Sequence, residues 1–312
     1  MRLRRLVDEA LVEYAIEPVR VRLLSNDFNG IFRVDTADGD RVVVRVVLPS
    51  GGHQPHQVAA QAMFAEAVAG GTDLLVPVPI RNRRGDLVTV ASAPGVPEPR
   101  MCLVTSWVPG VDLAERMSGG NWERLGRLMA RLHTFAESWS PPEGFETITY
   151  DRVVHFGEPV VLFEPQAEAV LSTGQQRVLE RAIARIDARI ASLSGPRIVT
   201  HGDLHQWNVK VDRTRLHPID FEDLQWAHPL QDVATTFYYL RRRDDRSELA
   251  GAFRRGYAET RPWVEEDEGE VAAHVVARGI DLVNFVIWCP EEDAGEYREL
   301  IDGVVEAARE LG

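Results

Sequence analysis

Apolar positions in this chain fall into two regimes. After about residue 105 they recur at helical spacing. Trp122, Leu125, Leu128, Met129, Leu132 and Phe135 predict a long helix from Asn121, which Ser140-Pro-Pro ends. Val178, Leu179, Ala182, Ile183, Ile186 and Ile190 share one face of a helix from Thr173 to Leu193. Four further helices are predicted over Asp232 to Arg241, Ser247 to Glu259, Val271 to Trp288 and Gly295 to Leu311. The first 105 residues read as a helix, strands, one helix and strands again. Met1 to Ala10 has a positive start but no apolar core after it, so it predicts an amphipathic helix rather than a leader. Asn29-Gly30, between apolar runs, is a hairpin turn signal. Arg41 to Leu48 is an apolar strand interrupted by Arg45, and His56 to Ala69 has the Ala, Gln and Met content of a helix. The Pro/Gly-rich stretch Ser92 to Pro99 predicts a loop before a buried strand that runs from Met101 into a turn at Pro109-Gly110. Phe145 to Pro165 has no clear period and predicts a loop with short elements.

The densest chemistry lies between Ile198 and Asp223. Asp203 follows His201 by two residues, Asn208 follows Asp203 by five, and Asp220 ends the next apolar run. Short apolar strands flank the loop on both sides. A carboxylate that aims an acceptor hydroxyl, followed by an amide oxygen and a second carboxylate able to hold Mg²⁺, is the layout of a phosphoryl-transfer site. Asp and Asn also favour turns on their own account, so no single one of these residues carries the reading. His201 and His205 are four apart, but zinc would need that spacing on a helix with a third ligand. The expected role of His201 is to brace the loop, and His205 has no assignment.

His-Gly-Asp-Leu-His-Gln-Trp-Asn (201–208) and Ile-Asp-Phe-Glu-Asp (219–223) resemble the catalytic loop and metal-binding segment of the aminoglycoside phosphotransferase and choline kinase-like family. The resemblance implies an α+β, bilobal protein kinase-like fold. It has a small N-terminal antiparallel sheet lobe with one helix and a larger, mainly helical C-terminal lobe. The implied divisions are a nucleotide-binding lobe over 1–105, a hinge over 106–110 and a catalytic, acceptor-binding lobe over 111–312. Asp203 is implied as the base, and Asn208 and Asp220 as Mg²⁺ ligands. Pro229-Leu-Gln-Asp232-Val-Ala resembles the family's helix start, where Asp232 would brace the catalytic loop; an acid favoured by the helix dipole is an equal account. Ser106, Trp107 and Val108 would bind adenine through their backbone.

The chain contains neither a Gly-x-x-x-x-Gly-Lys-Ser/Thr nor a Gly-x-Gly-x-x-Gly motif. Its one lysine, Lys210, follows the loop, so the strand position that holds phosphates in kinases has no lysine. Arg45 is the candidate substitute, and a solvated face shared with Arg41 is the alternative. Glu66 is the acid expected to pair with Arg45, with a solvent-facing Glu weighed evenly against it. Glu222, Asp223 and Trp226, just past the motif, are candidate acceptor-binding residues. Asp281 and Asn284, one turn apart in an apolar helix, are candidates for a pocket wall or a capped face.

The expected reaction is ATP- and Mg²⁺-dependent phosphorylation of a hydroxyl on a small molecule, an antibiotic such as an aminoglycoside or a metabolite such as an amino alcohol or sugar. The alternatives are a protein Ser/Thr kinase of the bacterial stress-response type and a nucleotide-binding regulator without turnover. A net charge of −13 argues against nonspecific nucleic-acid binding. No run approaches eighteen uninterrupted apolar residues, so no membrane span is expected, and the expected location is cytoplasmic. Cys102 and Cys289 lie far apart in apolar runs and read as buried thiols.

Overall fold

The computed structural model describes residues 2–26, 29–47, 54–265, 269–289 and 292–311. These form two compact units, each built from discontinuous stretches. The first comprises residues 1–112, 139–147 and 209–222, and the second comprises 113–138, 148–208 and 223–312.

The first unit is a five-stranded antiparallel sheet with a helix on each face. β1 (Pro18–Asn26), β2 (Asn29–Thr36), β3 (Arg41–Val47), β4 (Val88–Ala91) and β5 (Arg100–Ser106) are ordered β1-β2-β3-β5-β4. Side chains alternate across a strand, and this decides the two cores. Val42, Val44 and Val46 of β3 pack with Leu6, Val7 and Ala10 of α1 (Arg2–Leu11). Val47 packs on the other face with Val58 and Ala62 of α2 (Pro55–Gly71). Each fully buried Val or Leu contributes roughly 1.5–3 kcal/mol. Arg45 belongs to the α2 face by the same alternation, and it is buried there rather than solvated, whereas Arg41 is exposed. Asn29-Gly30 is not the hairpin turn. Both residues are in the ladder, Gly30 opposite Asn26 and Asn29 opposite Val47, because pairing with β3 outweighs the local turn preference. The connection itself, 27–28, lies outside the described residues, as does the predicted strand end at Leu48.

A small sheet completes this unit. β6 (Val111–Asp112), β9 (Val209–Asp212) and β10 (Arg215–Pro218) are ordered β10-β9-β6. Lys210 reaches Asp112 at 2.5 Å. Gly110 must be glycine here: φ is +121°, and a Cβ would lie 2.6 Å from the Val211 carbonyl oxygen.

The second unit is mainly helical. Its three-stranded sheet is ordered β7 (Ile148–Thr149), β11 (Gln225–Ala227), β8 (Ile198–Thr200). The helices are α3 (Gly119–Ser138), α4 (Thr173–Ser192), α5 (Pro229–Tyr238), α6 (Arg246–Ala258), α7 (Glu270–Trp288) and α8 (Arg298–Glu310). Ser172 caps α4 by accepting from the Gln175 N–H. Leu179, Ile186, Ile280, Val283, Ile301 and Val305 join α4, α7 and α8 in one core. α3 and α6 cross closely at glycines: a Cβ on Gly126 would sit 2.0 Å from Phe253 O, and one on Gly256 1.8 Å from Glu123 O. α7 is long and apolar enough to cross a membrane by length and hydropathy, yet more than half of it is buried and it carries Arg278, Asp281 and Asn284. It is the core helix of this unit.

Candidate functional site

The motif is divided between the units: Asp203 and Asn208 belong to the second, Asp220 to the first.

In the second unit, β8 delivers the loop at His201 and α5 anchors it. Asp232, in the first turn of α5 and 1% exposed, accepts the N–H of His201 at 3.1 Å and of Gly202 at 2.9 Å. Its Oδ2 also lies 3.1 Å from His133 Nε2, and His133 Nδ1 is 2.8 Å from the Tyr257 hydroxyl. A buried chain of Tyr257, His133 and Asp232 thus holds the loop backbone. Thr236 Oγ1 adds a 2.5 Å bond to Leu204 O. Gly202 has φ +82°, and a Cβ would sit 2.0 Å from Asp223 O, so the turn that presents Asp203 admits only glycine.

Asp203 is surrounded by donors. Oδ1 accepts from Arg278 Nη2 at 2.9 Å and from Tyr239 OH at 3.2 Å. Oδ2 accepts from Asn208 Nδ2 at 3.1 Å and lies 3.1 Å from His205 Nε2. Burial works to raise this carboxyl, but the neighbouring His205 and the Arg278 guanidinium outweigh burial and hold it down at about 2. Burial would lower Arg278, yet Tyr239, Asp203, Asp223 and Asp281 push it well above the usual guanidinium value. Burial also raises the Tyr239 hydroxyl, which stays protonated as a donor. His205 stacks edge-on against Tyr239 at 4.0 Å, and its Nδ1 accepts from Trp207 N. His201 and His205 form no metal-binding group with a third ligand among the described residues.

Asn208 spends its amide nitrogen on Asp203, bonding O at 2.9 Å as well as Oδ2. Its Oδ1 therefore faces away with no donor on it among the described residues. An amide oxygen and the Asp220 carboxylate are the hard oxygen donors that Mg²⁺ takes, so the donor chemistry fits that ion.

In the first unit, Asp220 adopts φ +63°, an uncommon left-handed conformation for a residue with a side chain. Arg45 Nη1 lies 3.9 Å from Asp220 Oδ1 and 3.5 Å from Glu222 Oε2. Glu222 accepts from Asn29 Nδ2 at 2.6 Å, and its carbonyl accepts from Gln61 Nε2 at 2.9 Å. Gln61 Oε1 also accepts from Arg45. Glu66 is not the partner of Arg45. It lies on the half-exposed side of α2 and binds Arg81 at 2.7 Å, because the face of α2 turned to β3 is the one carrying Val58, Gln61 and Ala62. At the end of β5, the N–H of Ser106 bonds Val78 O and that of Trp107 bonds Arg41 O, while Val108 N–H has no partner among the described residues.

The remaining candidates are placed as follows. Asp223 lies 3.8 Å from Arg278, and Trp226 sits in β11 opposite Val199 and Thr149. Asn284 braces the segment 159–161, its Oδ1 accepting from Val161 N and its Nδ2 donating to Pro159 O. Asp281 binds Arg278 at 3.2 Å. Arg278 and Tyr239 were missed by the sequence reading. An Arg three residues before Asp281 in an apolar helix was a usable signal for the first; Tyr239 had none.

The family model for the phosphotransferase enzyme family matches residues 20–267. No curated protein matches the chain. Among solved structures, the microcompartment-associated aminopropanol kinase is 21% identical, with 98% of this chain and 94% of that one covered at a TM-score of 0.76. Amicoumacin kinase, in complex with AMP-PNP, Ca²⁺ and Ami, is 13% identical, with 99% and 97% covered at 0.76. Spectinomycin phosphotransferase, in complex with ADP and spectinomycin, is 12% identical, with 98% and 97% covered at 0.66. These likenesses are of fold; the match of the family model covers most of the sequence, and the chain belongs to the phosphotransferase enzyme family, as a phosphotransferase of protein kinase-like fold.

Proposed function

We propose that the protein transfers the γ-phosphoryl group of ATP to a hydroxyl of a small molecule, with Asp203 as the base and Asn208 and Asp220 as the Mg²⁺ ligands. The observation that carries this is the Asp203 carboxylate, fixed by Arg278, Tyr239 and Asn208 on a loop that Asp232 anchors. The structural neighbours named above are kinases of aminopropanol, amicoumacin and spectinomycin, which supports a small-molecule acceptor. Neighbours hold ADP or AMP-PNP, and one holds Ca²⁺, which supports a nucleotide and a divalent ion.

Phosphoryl transfer is mostly positioning and charge neutralisation. Asp203, ionised at neutral pH, accepts the acceptor's O–H and aims its oxygen. That oxygen bonds to phosphorus, the bond from phosphorus to the β-phosphate oxygen breaks, ADP leaves, and the hydroxyl proton passes to Asp203. A carboxylate held near 2 is a weak base, so the proton moves late, when the oxygen already bonds phosphorus. Mg²⁺ would neutralise phosphate charge. Arg45, held by Gln61 and Glu222, takes the phosphate role of the absent strand lysine. The backbone of 106–108 binds adenine, with Val108 N–H the open donor. On this reading 1–105 is the nucleotide-binding lobe, 106–110 the hinge and 111–312 the catalytic lobe, although 139–147 and 209–222 pack with the first unit; use of ATP points to the cytoplasm. Asp220→Ala tests the metal role: it should raise the Mg²⁺ concentration needed for half-maximal ADP release, and unchanged Mg²⁺ dependence would refute that assignment.

A further inference from the structure

A carboxylate offers about four lone-pair positions, and among the described residues four donors fill those of Asp203. Oδ1 takes Arg278 Nη2 at 2.9 Å and Tyr239 OH at 3.2 Å. Oδ2 takes Asn208 Nδ2 and faces His205 Nε2, each at 3.1 Å. Of these, His205 is the loop residue that the sequence left without a role. Its other ring nitrogen decides what it can do. Nδ1 accepts the Trp207 N–H at 3.2 Å, so it is the bare nitrogen, and Nε2 carries the ring proton and donates to Asp203 Oδ2. The side chain is 7% exposed and lies edge-on against Tyr239, so turning it out to water would break that packing.

An acceptor hydroxyl that gives its proton to Asp203 needs one of the four positions. The two oxygens differ in what must move to free one. Both donors on Oδ2 belong to the loop itself and are tied a second time, Asn208 Nδ2 to Asp203 O at 2.9 Å and the His205 ring to Trp207 N. On Oδ1, Tyr239 contributes a neutral hydroxyl, whose proton turns about its C–O bond without any heavy atom moving. Resting on the reading of Asp203 as the base, we propose that His205 is a positioning residue whose Nε2–H, together with Asn208, closes Oδ2 and so makes Oδ1 the oxygen that takes the acceptor's proton. The Tyr239 hydroxyl yields its place to the acceptor's O–H, while Arg278 stays on the same oxygen. The acceptor's oxygen then bonds phosphorus, the bond to the β-phosphate oxygen breaks, and the hydroxyl proton ends on Oδ1. His205 neither gives nor takes a proton. A purely local role would use Nδ1 alone, to hold the turn at Trp207.

Two substitutions separate those bonds. His205→Asn keeps an acceptor for the N–H two residues on, as Asn does in turns, but has no donor that reaches Oδ2. His205→Gln keeps an amide donor near the place of Nε2 and loses the acceptor. Both arms of the test use the full chain. In the first, NMR of selectively 15N-labelled histidine, with His205→Asn to assign the signal, should find the His205 proton on Nε2, and that signal should shift in Asp203→Ala. In the second, ADP release from Mg-ATP is measured with aminopropanol, amicoumacin, spectinomycin and water as probes, chosen from the neighbours' substrates and the solvent. His205→Asn should melt near the native temperature yet lose about 10- to 100-fold in kcat, with the KM for ATP little changed. His205→Gln should keep several-fold more kcat than His205→Asn, and Tyr239→Phe, which only empties the exchanged position, should lose less than His205→Asn. A proton on His205 Nδ1, a native kcat in His205→Asn, a glutamine variant no better than the asparagine one, or a larger loss in Tyr239→Phe overturns the proposal. The underlying reading fails separately: the His205 proton would still be found on Nε2, but Asp203→Ala would release ADP as fast as the native protein with every probe.

Discussion

Asp232→Ala should destabilise the second unit more than any other single truncation of a polar side chain near the loop. Asp232 is 1% exposed and takes hydrogen bonds from His201 N, Gly202 N and His133 Nε2. Hydrogen bonds to a charged group are worth about 1.5–3 kcal/mol each, and the bonds share one acceptor, so they do not add. Removing one partner of a buried charged network costs about 3–5 kcal/mol. For a unit of this size about 2–4 °C of melting temperature accompanies each kcal/mol, so the melt should fall by roughly 10 °C. Asp232→Asn should cost less. His133 can swap tautomers, accept from the new amide and donate to Tyr257 OH, leaving chiefly the His201 N–H unpaired at about 1–3 kcal/mol. Thermal and urea unfolding followed by circular dichroism measure both variants. A loss below about 1 kcal/mol for the alanine would refute the bracing argument.

Gly202→Ala should leave the fold but cut kcat by more than about 100-fold, since a Cβ at φ +82° meets Asp223 O at 2.0 Å and displaces Asp203. Gly256→Ala should cost about 3 kcal/mol or more in a melt by forcing α3 and α6 apart, with Gly303→Ala, which meets nothing, as control. Asp281 titrates near 7 because burial raises it more than Arg278 lowers it. The folded chain then holds a proton that the unfolded chain has lost, so stability should fall as pH rises from about 4 to 7. Asp281→Asn should flatten that slope in unfolding measured across the range. Arg45→Ala should raise the KM for ATP by about 10-fold or more; wild-type kinetics would leave Arg45 a purely structural partner of Glu222.

The elements that could be read in the sequence were those whose periodicity was pure. α4 begins at the Ser172–Gln175 cap and buries the face read from Leu179, Ala182, Ile186 and Ile190. The spacing of Asp203, Asn208 and Asp220 was visible because loop chemistry is local. What stayed hidden depended on facing. α2 is rich in Ala, Val, Phe and Met on every side, so nothing marked Gln61 rather than Glu66 as the residue turned to Arg45. The Asn29-Gly30 signal was local, and the ladder with β3 outweighed it. His155 sits in a stretch without period, and its partner is Gln225, 70 residues on in β11, which no local pattern marks.

The most direct test is ADP release with Mg-ATP across amino alcohols, aminoglycosides, other antibiotics, sugars and a generic protein acceptor, run beside Asp203→Ala. The account predicts that a small hydroxyl-bearing molecule raises ADP release in the native protein and not in Asp203→Ala, which still binds ATP. Undiminished release by Asp203→Ala, or release stimulated by the protein acceptor alone, would contradict it.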